Sequence, residues 1–70
     1  MNHEYLAEID SKFPGKTSFT IREVKYIWMV AFGYKIRKTE VMKKFGTEII
    51  KKDDLVREIK LVSPFVDEGK

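Results

Sequence analysis

Hydrophobic residues along this chain recur mostly at the three- and four-residue spacing of α-helices. The first such segment predicts a helix over about residues 2–12, which Pro14 and Gly15 end. Its apolar side consists of Tyr5, Leu6, Ile9 and Phe13. The pattern therefore indicates that the chain opens with an amphipathic helix.

A second helix is predicted to begin after Thr20. This residue is followed three positions later by Glu23, the arrangement of a capping box, in which each side chain accepts a hydrogen bond from the other residue's backbone N–H. The apolar stripe of this helix consists of Ile21, Val24, Ile27, Trp28 and Ala31. Gly33 is the expected left-handed residue at its end. Because the helix becomes apolar nearly all round, we expect it to be the central one.

The second half of the chain predicts two further helices with a short connection between them. One covers residues 36–45, with Val41, Met42 and Phe45 on its apolar side, and ends at Gly46. Residues 47–51 fit either a short strand or a turn. We expect Asp53 or Asp54 to cap a last helix, which ends before Ser63 and Pro64. Its apolar stripe consists of Leu55, Val56, Ile59 and Val62.

These elements predict a mainly α fold: a compact, helix-turn-helix-like single domain of about four short helices, with at most a short β element near residues 47–51. Seventy residues, 43% of them hydrophobic, suffice for one small core. We expect the domain to occupy residues 1–66 and residues 67–70 to form a frayed tail.

Several functional classes find no support in the residue types present. The chain has no cysteine, and its one histidine, His3, lies near an end. The glycines lack phosphate-loop spacing, and Asp53 and Asp54 are more typical of a helix start than of a metal site. The uncharged run at 26–34 is far shorter than the roughly 20 residues of a membrane span. We therefore expect a cytoplasmic non-enzyme with no cofactor, no metal site and no membrane association.

Charge is unevenly distributed, although the net charge is only +3. Residues 35–52 hold seven basic and two acidic side chains. A helix at about 36–45 that buries Val41 and Phe45 would present cations to phosphates and polar groups to base edges. The candidate nucleic-acid-binding residues are Lys35, Arg37, Lys38, Thr39, Lys43, Lys44, Lys51 and Lys52. DNA is the expected partner, RNA is not excluded, and a solvated lysine-rich surface is the simpler alternative.

A protein-interaction module is the alternative function. The helix at 21–34 carries more apolar side chains than a domain of this size readily buries, and interfaces favour tyrosine, tryptophan and methionine. The candidate interface residues are Tyr26, Met29, Val30 and Tyr34. They would contact a second copy of the chain or a host protein that this chain inhibits or modulates.

Two segments resemble excisionase and MerR-type small winged-helix DNA-binding domains. FTIREV (19–24) is similar to the aromatic-Thr opening of their first helix, and GTEIIKKDDLVREI (46–59) is similar to their closing turn, strand and helix. The middle departs from that family, because KYIWMVAFGYKI replaces a tight turn and the segment after Gly46 is too short for a full wing. The resemblance implies a regulatory or architectural DNA-binding factor of phage or mobile-element type.

Overall fold

Four helices and a two-stranded antiparallel sheet form the part of the chain that the computed structural model describes, residues 4–62. In chain order these are α1 (Tyr5–Lys12), β1 (Ser18–Thr20), α2 (Ile21–Phe32), α3 (Lys38–Phe45), β2 (Ile49–Lys51) and α4 (Lys52–Val62). The mainly α prediction is confirmed, including the short β element near residues 47–51. Residues 1–3 and 63–70 lie outside the description, as do the expected stop at Ser63 and Pro64 and the expected tail.

Helix α2 is the centre of the core, as its nearly all-round apolar character predicts. It packs against the other three helices and against both strands. Its side chains at Val24, Ile27, Trp28 and Ala31 are fully buried. The neighbouring elements contribute Tyr5, Ile9, Phe19, Ile36, Val41, Ile50, Leu55 and Ile59 to the same core. Most of the predicted apolar positions therefore face inward.

Both ends of α2 follow the local chemistry of the sequence. The Thr20 N–H donates to Glu23 Oε1 over 2.9 Å, and the Glu23 N–H donates to Thr20 Oγ1 over 3.3 Å, so the capping box is present. Gly33 ends the helix at φ 82°, and Gly46 ends α3 at φ 69°. These left-handed conformations favour glycine because a Cβ would clash with the backbone.

The sheet joins two segments that are far apart in the chain. Phe19 pairs with Ile50 and points with it into the core, while Thr20 pairs with Ile49 on the outer face. Strand β1 was not predicted, because three residues are too few for a strand period to be recognised. Thr20 is both the last residue of β1 and the N-cap of α2.

Three details differ from the predictions. Helix α4 begins at Lys52, so Asp53 and Asp54 lie in its first turn, where the helix dipole favours carboxylates, and do not cap it. The third helix begins at Lys38 instead of residue 36, and Ile36 is buried as part of the preceding loop. Leu6 is 42% exposed, because the core side of α1 is filled by Tyr5 and Ile9.

Within residues 4–62, no helix combines the length and the apolar character needed to cross a membrane.

Candidate nucleic-acid interface

Cations without an ion-pair partner are concentrated in one part of the described chain. Within residues 4–62, ion pairs join Lys16 to Glu23, Lys44 to Glu58, Lys52 to Asp10, and Arg57 to Asp54. None of these pairs includes the cations Arg22, Lys25, Lys35, Arg37, Lys38 and Lys43, all of which are solvent-exposed. These six residues run from the first turn of α2 through the loop to α3. None of the six is therefore held in an ion pair by a carboxylate of residues 4–62.

Five of these cations line three adjoining grooves. The first groove, about 660 Å³, lies between α2, the start of α3 and β2, and its cations are Arg22, Lys25 and Lys38. The second, about 300 Å³, is lined by Lys25 and Lys35 together with Tyr26 and Met29.

The third groove, about 360 Å³, continues from Lys35 to Arg37 along the loop and α3. Because neighbouring grooves share Lys25 and Lys35, the cations form one continuous surface. We call this surface, made of Arg22, Lys25, Lys35, Arg37 and Lys38, the basic face.

Local structure places the cations of the basic face. Arg22 and Lys25 are three residues apart, so they are neighbours on one side of α2. The left-handed Gly33 and the buried Ile36 hold the loop that carries Lys35. Arg37 is the N-cap of α3 and makes no side-chain cap hydrogen bond, so the first N–H groups of the helix add partial positive charge nearby.

Two carboxylates also line the grooves of the basic face. Glu48 lines the first groove and Glu40 lines the third. The grooves are therefore lined by two carboxylates and by five cations that form no ion pair within residues 4–62, besides Lys44, which is paired with Glu58.

Three of the eight predicted nucleic-acid-binding residues, Lys35, Arg37 and Lys38, belong to the basic face. Thr39 and Lys43 are exposed on α3. Lys44 is used differently: its Nζ lies 3.4 Å from Glu58 Oε2 and 5.6 Å from the centre of the Trp28 ring. The Lys44 side chain therefore connects α3 to α4 and to the Trp28 ring of the core.

The two remaining predicted residues lie on the far side of the exposed Ile49. Lys51 is exposed at the end of β2, where it pairs in register with Ser18. Lys52 begins α4, and its Nζ lies 3.5 Å from Asp10 Oδ1. Ile49 separates Lys51 and Lys52 from the first groove. It lines both that groove and another one, which contains the two lysines.

Sequence reasoning missed Arg22 and Lys25 as members of the basic face. Their position off the apolar stripe of α2 indicated that both are exposed, but only residues 35–52 were recognised as a basic segment. The spacing of three could have shown that Arg22 and Lys25 are neighbours on one side of the helix. What brings them beside Lys38 is the packing of α3 against α2, which the charge pattern does not contain.

The residues of the alternative interface are mostly engaged within the domain. Tyr26 is half-buried; its hydroxyl donates a hydrogen bond to Glu8, and its ring contacts Phe13 edge-on. That hydrogen bond raises the pKa of Tyr26 above 10.0, its ordinary value. Val30 packs against the core, and Met29 is half-buried. Tyr34 alone among the four is well exposed, at 53%.

A second group with a shifted pKa in the described part of the chain is Glu23 of the capping box. The hydrogen bond from the Thr20 backbone N–H lowers the pKa of Glu23, and Lys16 beside it acts in the same direction. Both pKa shifts arise from hydrogen bonds within the domain; Tyr26 lines the second groove, whereas Glu23 lines none of the three. The described residues contain no cluster of three or more His, Cys, Asp or Glu side chains arranged to hold a metal ion.

Comparison of the chain with protein-family models, curated proteins and solved structures found no match. The resemblance to excisionase and MerR-type domains rests on the two sequence segments alone.

Proposed function

We propose that this protein binds DNA through the basic face, and that the exposed Thr39 and Lys43 of α3 add further contacts. The observation that carries the proposal is the accumulation of unpaired cations along three adjoining grooves. Like charges held close together repel one another, and a polyanion relieves that repulsion while releasing its condensed counterions.

Such a surface favours a nucleic acid over a small anion. The cations extend along successive grooves, which suits the regularly spaced phosphates of a backbone. A small anion would instead require cations that converge on one point. Binding through phosphates gives affinity with little sequence preference, and base contacts must supply any specificity. A regulatory or architectural role of phage or mobile-element type, which the sequence resemblance implies, would use binding of this kind.

The alternative function, capture of a host protein or of a second copy through α2, has weaker support. Of its four candidate residues only Tyr34 is well exposed, whereas Tyr26 and Val30 are half-buried and pack against the core. The solvated-surface alternative predicts that the unpaired cations have no binding role at all. A direct binding measurement separates these possibilities.

The experiment is a titration of fluorescently labelled DNA of mixed sequence, as single strand and as duplex, over a series of salt concentrations. We expect binding that weakens as salt rises. The triple variant R22A/K25A/K38A should bind much more weakly, and the slope of log K against log salt should fall by up to about three, roughly one for each lost phosphate contact.

The matched control is K16A/K52A/R57A. It also removes three positive charges, but from residues that form ion pairs. We expect it to retain most of the affinity and most of the salt slope. If the two triple variants bind equally, only net charge matters and the basic face is wrong. If the wild type fails to bind at low salt, the DNA-binding proposal is wrong.

A further inference from the structure

An exposed aromatic ring stands between the cations of the basic face. Tyr34 is 53% exposed, follows the left-handed Gly33 and precedes Lys35. It lines the third groove together with Lys35 and Arg37. A large ring at this degree of exposure contributes little to the core, so its position between cations needs another explanation.

The ring is supported from the interior of the domain. The Tyr34 ring centre lies 6.1 Å from that of Phe32, with an angle of 43° between the planes. Phe32 in turn lies 4.8 Å from the buried Trp28. The three rings therefore lead from the core to the surface, and Tyr34 is their solvent-exposed end.

The loop that carries Tyr34 is held at both ends. The Gly33 N–H donates to the Met29 carbonyl over 2.8 Å, and Ile36 is only 3% exposed. A ring on such a short, anchored segment loses little conformational freedom on binding, which favours its use in recognition.

We infer that Tyr34 is a stacking platform for an unpaired base, and that the protein prefers single-stranded DNA to duplex DNA. The inference rests on the proposed function and names the form of nucleic acid that the same surface takes. Cations along a groove with an exposed aromatic ring among them are the combination that single-strand-binding proteins use. In a duplex the bases are stacked inside, and their faces are not available to the ring.

The geometry of α3 also favours single-stranded over duplex DNA. The helix has eight residues, or about 12 Å of length, and its Lys44 is occupied by Glu58 and Trp28. The free cations of the basic face lie mainly on α2 and on the loop, beside Tyr34. A flexible strand can follow these grooves past the ring, whereas a duplex would need α3 itself to carry more of the contacts.

The test compares wild type, Y34A and Y34F on three labelled probes of equal length: a mixed-sequence single strand, its duplex, and an abasic single strand. The abasic probe keeps the phosphates and removes the bases. We expect wild type to bind the single strand more tightly than the other two probes. Y34A should weaken single-strand binding about tenfold, towards the abasic value, and leave the other two probes unchanged.

Y34F keeps the ring and should bind like wild type. The variant L61A, which removes an exposed apolar side chain from α4, controls for loss of surface area. Circular dichroism confirms that each variant is folded.

Equal binding of wild type and Y34A to the single strand overturns the stacking inference, and so does tighter binding of wild type to the duplex. In both cases salt-dependent binding of DNA leaves the proposed function intact. If wild type binds none of the probes at low salt, the proposed function and the inference both fail.

Discussion

Neighbouring residues of the same type have different roles in this domain. Lys43 and Lys44 are adjacent on α3, yet Lys43 is exposed without an ion pair in the described chain, while Lys44 pairs with Glu58 and lies over Trp28. One turn of helix contains 3.6 residues, so adjacent side chains point about 100° apart and meet different surroundings. Charge type alone therefore does not identify which lysines are left without an ion pair.

Tyr26 provides a prediction at the scale of one residue. Replacing it with phenylalanine removes the hydroxyl that donates to Glu8, so we expect a lower melting temperature near neutral pH. The raised pKa of Tyr26 means that the hydrogen bond stabilises the fold fully below about pH 10.0, the ordinary tyrosine value. The advantage of wild type over Y26F should shrink as pH rises through the raised pKa.

Thermal unfolding followed by circular dichroism from neutral to alkaline pH measures this difference. Y34F is the matched control, because the Tyr34 hydroxyl makes no hydrogen bond to residues 4–62, and we expect it to melt like wild type. A difference between wild type and Y26F that stays constant through the alkaline range would contradict the role of the hydroxyl.

At the scale of elements, one position connects the sheet to the central helix. Thr20 ends β1, pairs in register with Ile49 and caps α2 through the reciprocal hydrogen bonds with Glu23. The register of the sheet and the start of α2 are consequently determined at one residue. This coupling also positions Arg22 and Lys25, which lie in the first two turns of the helix.

We expect T20A to destabilise the domain by about 1 kcal/mol, because the Glu23 N–H loses its acceptor. In a domain of this size that corresponds to a lower melting temperature by roughly 4–8 °C. T20S keeps the side-chain oxygen and should lose much less. Thermal denaturation of the three proteins tests the cap, and equal losses in T20A and T20S would show that the methyl group matters instead of the hydrogen bond.

At the scale of the whole molecule, one small core centred on α2 supports the basic face and the loop that carries Tyr34. A domain of this size has a total stability of roughly 4–10 kcal/mol. Removing a single large buried side chain therefore lowers the free energy of unfolding by a large fraction of its total. The basic face depends on that core, since its cations come from α2, α3 and the loop between them.

Leu55 and Leu61 of α4 allow a matched test, since Leu55 is fully buried and Leu61 is 64% exposed. L55A should destabilise the domain by about 2–5 kcal/mol through lost burial and the cavity left behind. L61A should change stability by no more than about 0.5 kcal/mol. Urea denaturation measures both, and similar midpoints for the two variants would place the core elsewhere.

Local patterns in the sequence determined the helices and most of their ends. The apolar stripe of α2, the Thr20–Glu23 box and the left-handed residues Gly33 and Gly46 all involve residues within about four positions of one another. Interactions over such short separations depend on residues that are close together in the sequence, so they could be predicted from it. The buried side of α1 was predicted only in part, since the neighbours Tyr5 and Leu6 both fit an apolar helix side and packing selects between them.

Only the tertiary structure decided which strands pair and which cations remain free. Strand β1 becomes recognisable through its pairing with β2, and Lys44 and Lys52 find their carboxylates 14 and 42 residues away. No local pattern records such distant partners, because they depend on how the helices pack. Composition and periodicity therefore determined a mainly α domain with a basic segment, whereas packing assembled Arg22, Lys25 and Lys38 around one groove and left Tyr34 exposed among the cations.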